Sequence, residues 1–330
     1  MVNILAKAAM SAIILAGSMS AAAALPSFSD IVNTVKSFSQ NEAKNTTVLC
    51  ATVQDAVQAI QKAKNKSKIK LCCSLTPSDI ATLADAIRPL TERRRTIEFD
   101  IKDCTGLTEL PDDSFNQCWA LTSISLPATI TKIGSTAFSS CVNITSIDLP
   151  DHLKSIGDNA FKYCVSLEKI TIPASVSSLG ALLFSSCRSL TSISVQSGSK
   201  TYCAVRNMIL SIDGCTLVNA QCAGPVVHVP ESVTTIAKDA FTGNEQMCAI
   251  LFSKNVRKID FQNLKYSEKL ESVVFSSPVP PVWKYNNFSA NDEIPSSVHY
   301  FVPRKSLDAY IAALPMYLHA DKEIIFYEPE

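Results

Sequence analysis

The chain repeats itself every 23 residues, and that period limits the folds open to it. Phe115, Phe138, Phe161 and Phe184 stand one period apart, as do Cys118, Cys141, Cys164 and Cys187. Leu110, Ile133, Ile156 and Leu179 keep the same step, and so do Pro127, Pro150 and Pro173, and Gly134, Gly157 and Gly180. The segments Leu121–Asn143, Ile144–Ser166 and Leu167–Ser189 align without gaps. A unit this short cannot bury its own apolar face, so copies must stack into a solenoid whose stability is a sum over neighbours.

Within one unit, Leu121, Ile124 and Leu126 read as a strand with its apolar residues inward, ended by Pro127, which lacks a donor for a central ladder. Ile130, Ile133 and Phe138 then return along the opposite wall, with Gly134 allowing a turn. The strands are expected to form a parallel sheet with coils about 4.8 Å apart. After Leu190–Val195 the pattern breaks over 196–224, where Ile209–Ser211 and Thr216–Val218 flank Asp213-Gly214 as a hairpin. It resumes with Pro230, Ile236 and Phe241, although Ala237 replaces the glycine and Gly243 and Asn244 fall near the cysteine column. Residues 247–269 are a worn copy, and Leu270–Phe275 is a last strand.

The flanks differ. Residues 1–24 read as a signal peptide: Lys7 is the positive charge, Ala8–Gly17 is apolar and too short to span a bilayer, and cleavage is expected after Ala24. Residues 25–50 read as a tether or weak helix. Residues 51–103 read as an α-β-α-β capping unit: a helix over 52–65, a strand over 66–74, a helix over Pro77–Arg88 capped by Thr76, and a strand over 96–102. The solenoid then covers 104–275 and a C-terminal cap 276–330, with a strand at His299–Pro303 and a short helix at Arg304–Leu314.

Lys plus Arg and Asp plus Glu are 30 each, a formal net charge of zero. A nucleic-acid binder usually carries a basic excess, so that class is disfavoured, and Arg93-Arg94-Arg95 is too short to track phosphates. No P-loop, dinucleotide fingerprint or G-x-S-x-G is present. Asp112-Asp113 and Asp292-Glu293 read as solvated turns. No C-x-x-C pair occurs, and the four histidines share no spacing with the cysteines, so neither metal nor cofactor is expected. The cysteine column reads as a buried ladder whose thiols bond neighbouring backbone rather than as disulfides. Cys50, Cys72, Cys73, Cys104, Cys203, Cys215, Cys222 and Cys248 lie outside it, and Cys203 with Cys215 or Cys222 is a candidate bridge within the insertion.

These repeats resemble the BspA-like leucine-rich repeats of bacterial and protist cell-surface proteins, matched at Leu121, Ile124, Leu126, Pro127, Ile130, Ile133, Gly134, Ala137, Phe138 and Cys141. Val302-Pro303 with Ser306, Ala309 and Tyr310 is similar to the closing segment of such proteins. The resemblance implies a leucine-rich-repeat solenoid, surface exposure and protein binding, including adhesion to host or neighbouring-cell surface proteins. It implies no catalysis and does not fix a ligand.

The residues flanking the middle apolar position of each strand are expected to point outward: Ser123 and Ser125, Ser146 and Asp148, Lys169 and Thr171, Ser192 and Ser194. Stacked, they would form a hydroxyl-rich strip, the candidate binding surface. Trp283 and Tyr285 are a second candidate that also suits packing of the last coil. A structural or self-assembling envelope component is the other reading. Asn45, Asn65, Asn143 and Asn287 each open an N-x-[S/T] sequon.

Overall fold

The computed structural model describes residues 47–91, 95–264, 266–284, 298–313 and 324–327. The expected signal peptide with Ala24, the tether up to residue 46, Arg93-Arg94, Tyr285, Asp292-Glu293, Asn45 and Asn287 lie outside them.

The first coils are built by β1 (Thr47–Cys50), α1 (Val53–Gln61), β2 (Ser67–Leu71), α2 (Pro77–Ile87) and β3 (Ile97–Asp100). Both helices start where the sequence places a cap. Thr52 accepts from the Asp55 amide, and Thr76 and Asp79 form a reciprocal capping box ahead of Pro77. Ala56 and Ile60 of α1, and Ile80, Leu83, Ala84 and Ile87 of α2, are their buried faces. The expected capping unit is therefore corrected in one respect. It opens with a strand, β1, in part of the expected tether, and β1, β2 and β3 lie side by side in parallel with β5 (Leu121–Ser125). The helical coils share one sheet with the repeats.

Each regular coil adds to this long-strand wall and to a second wall of two-residue strands. On the second wall β4 (Glu109–Leu110), β6 (Lys132–Ile133), β7 (Ser155–Ile156) and β9 (Ser178–Leu179) pair in parallel. On the first wall β8 (Lys169–Ile172) pairs with β10 (Ser192–Val195). The coil between β5 and β8 joins only through the bridges Ser125↔Asp148 and Ser146↔Lys169, where the sequence pattern predicts a full strand.

A third wall of turns carries the repeat's aromatic and thiol columns. Phe115, Phe138 and Phe161 stack on one another at 5.6 Å, and Phe161 on Phe184 at 6.0 Å, all fully buried. Cys141, Cys164 and Cys187 each donate to the phenylalanine carbonyl of the coil before, at 3.1, 3.2 and 3.0 Å. Two residues before and two after each Phe the backbone turns left-handed without glycine. Asp113, Thr136, Asn159 and Leu182 form one such column, and Gln117, Ser140, Tyr163 and Ser186 the other. Gly243 falls in the second column, which explains its place beside Phe241.

The repeat glycines have another role than the expected turn. A Cβ on Gly134 would lie 2.5 Å from the Asp112 amide, and one on Gly157 2.5 Å from the Ser135 amide. They are glycines because successive coils touch backbone to backbone. The Asp112-Asp113 pair, expected to be simply solvated, sits at the same joint: Asp112 accepts from the Ser135 amide at 2.7 Å and Asp113 from the Thr136 hydroxyl at 2.6 Å.

The insertion is a three-stranded antiparallel meander of β11 (Tyr202–Val205), β12 (Met208–Ser211) and β13 (Thr216–Asn219). Its first turn, at Arg206-Asn207 with both φ positive, is missing from the sequence reading. The meander ends by rebuilding the interrupted coil. β13 pairs in parallel with β15 (Thr235–Ile236), while Cys222 reaches the Phe184 carbonyl at 3.8 Å. Cys222, placed outside the column from sequence, is its next rung. Cys203 turns to the Ser211 carbonyl and Cys215 to that of Asp213, and all twelve cysteines are free thiols, so the candidate bridge within the insertion is not formed. Gln221 accepts from the Phe184 amide at 2.8 Å, a place filled in the earlier coils by a backbone carbonyl such as that of Ala160.

The C-terminal half repeats the plan. β14 (Val226–His228), β16 (Ala249–Phe252), β18 (Ser272–Phe275), β20 (His299–Pro303) and β21 (Ile324–Tyr327) make the long-strand wall, with β17 (Lys258–Asp260) and β19 (Val282–Lys284) on the other. The strand β21 lies beyond the helix α3 (Leu307–Ala313) and was not expected. Tyr310 of α3 is buried, donates to the Ser277 carbonyl at 2.9 Å and lies 5.3 Å from the Phe275 ring. Trp283 meets the same ring edge-on at 5.6 Å, a packing role.

Candidate functional site

Register turns the expected strip into two columns. Ser125 pairs with Asp148 and Ser146 with Lys169 through bridges, Lys169 with Ser192 and Thr171 with Ser194 through β8 and β10. Ser125, Asp148, Lys169, Thr171, Ser192 and Ser194 are exposed, while Ser123 and Ser146 are half-buried. Alternation does this: Ile124, Ile147, Ile170 and Ile193 between them point into the core. The hydroxyls of Thr171 and Ser194 lie 2.9 Å apart, so neighbouring coils present them as one surface.

The columns extend further toward the N-terminus than the sequence reading took them. Glu98 pairs with Ser123 and Asp100 with Ser125, and Lys68 and Lys70 precede these on β2. Lys68 lies 3.1 Å from Glu98, and Lys70 lies 2.5 Å from Asp103 and 3.9 Å from Asp100. The hydrogen bond with Asp103 raises the Lys70 ammonium above its ordinary range, and the same bond holds the Asp103 carboxyl below its own. Such exposed pairs contribute at most about 1 kcal/mol each. The alternating runs at 67–71 and 97–100 were the available signal. Both charge signs and many hydroxyls are interspersed on this face, which suits hydrogen bonding to a polar protein surface.

The polar face has a defined end. The Asn207 side chain of the meander accepts from the Ile193 amide at 3.2 Å and donates to the Thr191 carbonyl at 2.6 Å, occupying the free edge of β10. Beyond the insertion the outward column changes character: His228, Leu251, Val274, Phe301 and Ile325 follow one another in register. The leucine, valine, phenylalanine and isoleucine are half-buried. The unbroken apolar runs Ile250–Phe252 and Val273–Phe275 were the sequence signal for this second face.

The buried thiols offer little nucleophilic chemistry. Burial pushes Cys118, Cys164 and Cys222 up to about 12, and Cys141 and Cys187 well above the ordinary thiol value. A thiol is reactive as its thiolate, which these sites suppress at neutral pH. Among the described residues no group of three or more His, Cys, Asp or Glu is placed to hold a metal ion, and no helix is long and apolar enough to cross a membrane.

The family model for the BspA-type leucine-rich repeat region matches residues 108–210 and 215–295 in six copies. No curated protein matches the chain. Among solved structures it is similar to the pneumococcal vaccine antigen PcpA, at 19% identity over 80% of each chain with a TM-score of 0.46. It is also similar to a leucine-rich cell surface protein of Faecalibacterium prausnitzii, at 17% identity over 81% of this chain and 80% of that one, TM-score 0.48. A leucine-rich repeat protein of Eubacterium ventriosum gives 16% identity over 77% and 78%, TM-score 0.45.

Proposed function

The chain belongs to the BspA-type leucine-rich repeat family, and from that premise we propose that it is an exported or cell-surface, non-catalytic module that binds proteins through the outward face of its long-strand wall. The observation that carries the reading is the pair of in-register polar columns, from Lys68 and Lys70 on β2 to Ser192 and Ser194 on β10. A stacked sheet fixes these side chains at the coil spacing with little backbone freedom, so a partner meets a preorganised array and less ordering cost opposes binding. Host or neighbouring-cell surface proteins are the partner class that fits an adhesin-like role. One solved structure with the same fold is described as a cell surface protein, in keeping with this placement.

Site-specific photocross-linking tests the reading. A photoreactive residue at Thr171 is expected to capture a cell-surface protein, while one at Lys162, on the turn wall, is not. Equal capture from both positions, or capture only of further copies of the chain, contradicts it, the second outcome favouring a self-assembling envelope component.

A further inference from the structure

Four cysteines that belong to neither the ladder nor the binding face gather where the first three strands end. Cys50 closes β1, Cys72 and Cys73 follow β2, and Cys104 follows β3. Two of them are opposed across adjacent coils. The Thr105 amide donates to the Cys73 carbonyl at 3.1 Å and the Leu75 amide to the Thr105 carbonyl at 2.8 Å, which makes the parallel bridge Ser74↔Thr105. One residue earlier in the same register, Cys73 faces Cys104. Opposed positions in a sheet are about 4.8 Å apart, inside the ~4.4–6.8 Å range of Cα separations that a disulfide spans. The Cys104 thiol reaches across to the second coil, donating to the Leu71 carbonyl at 3.1 Å, two residues before Cys73. Between Lys70↔Asp100 and Ser74↔Thr105 the register shifts by one residue, so the regular side-chain alignment of the sheet is interrupted here.

We propose that Cys73 and Cys104 are a disulfide-forming pair that covalently ties the second coil to the third. Access separates them from the ladder. Cys141, Cys164 and Cys187 are sealed from solvent and each donates to a carbonyl; Cys104 is buried and carbonyl-bonded as they are, but its opposed residue Cys73 is half-exposed and open to an oxidant. The reaction needs an organic disulfide as oxidant. The Cys73 thiolate attacks one sulfur of the disulfide R–S–S–R and expels RS⁻. Cys104, giving up its proton, then attacks the Cys73 sulfur and expels a second RS⁻. Two thiol protons and two RS⁻ leave as two RSH, one S–S bond forms and one breaks. The neighbouring thiols are placed less well. Cys72 is exposed, with its amide given to the Cys50 carbonyl at 3.1 Å, and the Cys50 thiol is directed to the carbonyl of Val48 on its own strand, at 4.0 Å. The pair closes a loop containing α2, so an oxidised chain cannot peel the α2 coil from the repeats.

The test is to incubate the purified full chain with oxidised glutathione, block free thiols with iodoacetamide and sequence the cross-linked peptides by mass spectrometry. The expected product joins Cys73 to Cys104 with the loss of two hydrogens. It persists in Cys72→Ser and disappears in Cys73→Ser, a substitution at a half-exposed position. Alkylation of both Cys73 and Cys104 in oxidant-treated protein, or a link that survives in Cys73→Ser through Cys72, would overturn the assignment.

Discussion

The thiol of Cys164 donates to the carbonyl oxygen of Phe138, 3.2 Å away and one coil back. The same bond recurs from Cys141 to Phe115 and from Cys187 to Phe161. Each of these carbonyls already accepts from the cysteine amide of its own turn, as Phe138 does from Cys141 at 3.1 Å, and the thiol of the next coil adds a second donor that ties the coils together. Each thiol is neutral and buried in the folded chain, and this sets its pH response. A thiol whose folded pKa is raised contributes nothing to the balance below its ordinary value of 9.0, where it is protonated folded and unfolded. Above that the unfolded chain ionises first and stability falls, up to the folded value of about 12. The slope is about 1.4 kcal/mol per pH unit for each buried thiol. The melting temperature is therefore expected to be flat from pH 7 to 8.5 and to fall steeply above pH 9, less steeply in Cys164→Ala. A wild-type profile level to pH 10.5 would contradict the ladder.

Gly157 is a position where one added methyl group should do harm. Its Cβ would meet the Ser135 amide at 2.5 Å and the Gly134 carbonyl carbon at 2.7 Å, both backbone and unable to step aside. Gly157→Ala is expected to cost about 1–3 kcal/mol by overpacking. Denaturant unfolding would show it as a lower midpoint, and an unchanged midpoint would show that the coils can separate there.

Ser140 tests the opposite effect. It holds φ +60° without being glycine, and a left-handed backbone costs an ordinary residue roughly 1–2 kcal/mol. Ser140→Gly is expected to raise stability by about 0.5–1 kcal/mol once the greater freedom of glycine in the unfolded chain is offset. Destabilisation in the same assay would contradict this.

Gln221 holds the two halves of the solenoid together. It accepts from the Phe184 amide and donates to the carbonyls of Asp239 and Thr242, at 3.2 and 3.0 Å, all in buried surroundings. Gln221→Leu would orphan the buried Phe184 amide and is expected to cost about 3 kcal/mol. Amide exchange should show the loss first at Phe184. Unaltered protection there would place the junction elsewhere.

Much of this was legible in the sequence because it repeats. The 23-residue spacing of Phe115, Phe138, Phe161 and Phe184 fixed the coil, and both the solenoid and the family resemblance are borne out. What a period cannot show is contact between coils. Gly134 reads as a turn residue, yet its reason is the Asp112 backbone one coil away. Cys222 falls out of step because the meander adds residues before returning to the rung, so only the fold aligns it with Cys187. The strand β1 was hidden because three of its four residues are exposed at a sheet edge, leaving no alternation to read. The left-handed columns leave no composition signal, being filled by Asp113, Thr136, Asn159 and Leu182 in turn.

The direct measurement is binding of fluorescently labelled chain to intact cells that carry the captured partner, for the wild type and for Asp148→Ala with Lys169→Ala. Both residues are exposed on the polar columns, so the melting temperature should not change. The expected result is an affinity at least about tenfold weaker, roughly 1.4 kcal/mol. Equal affinity at an equal melting temperature would remove the strand face from the protein's function.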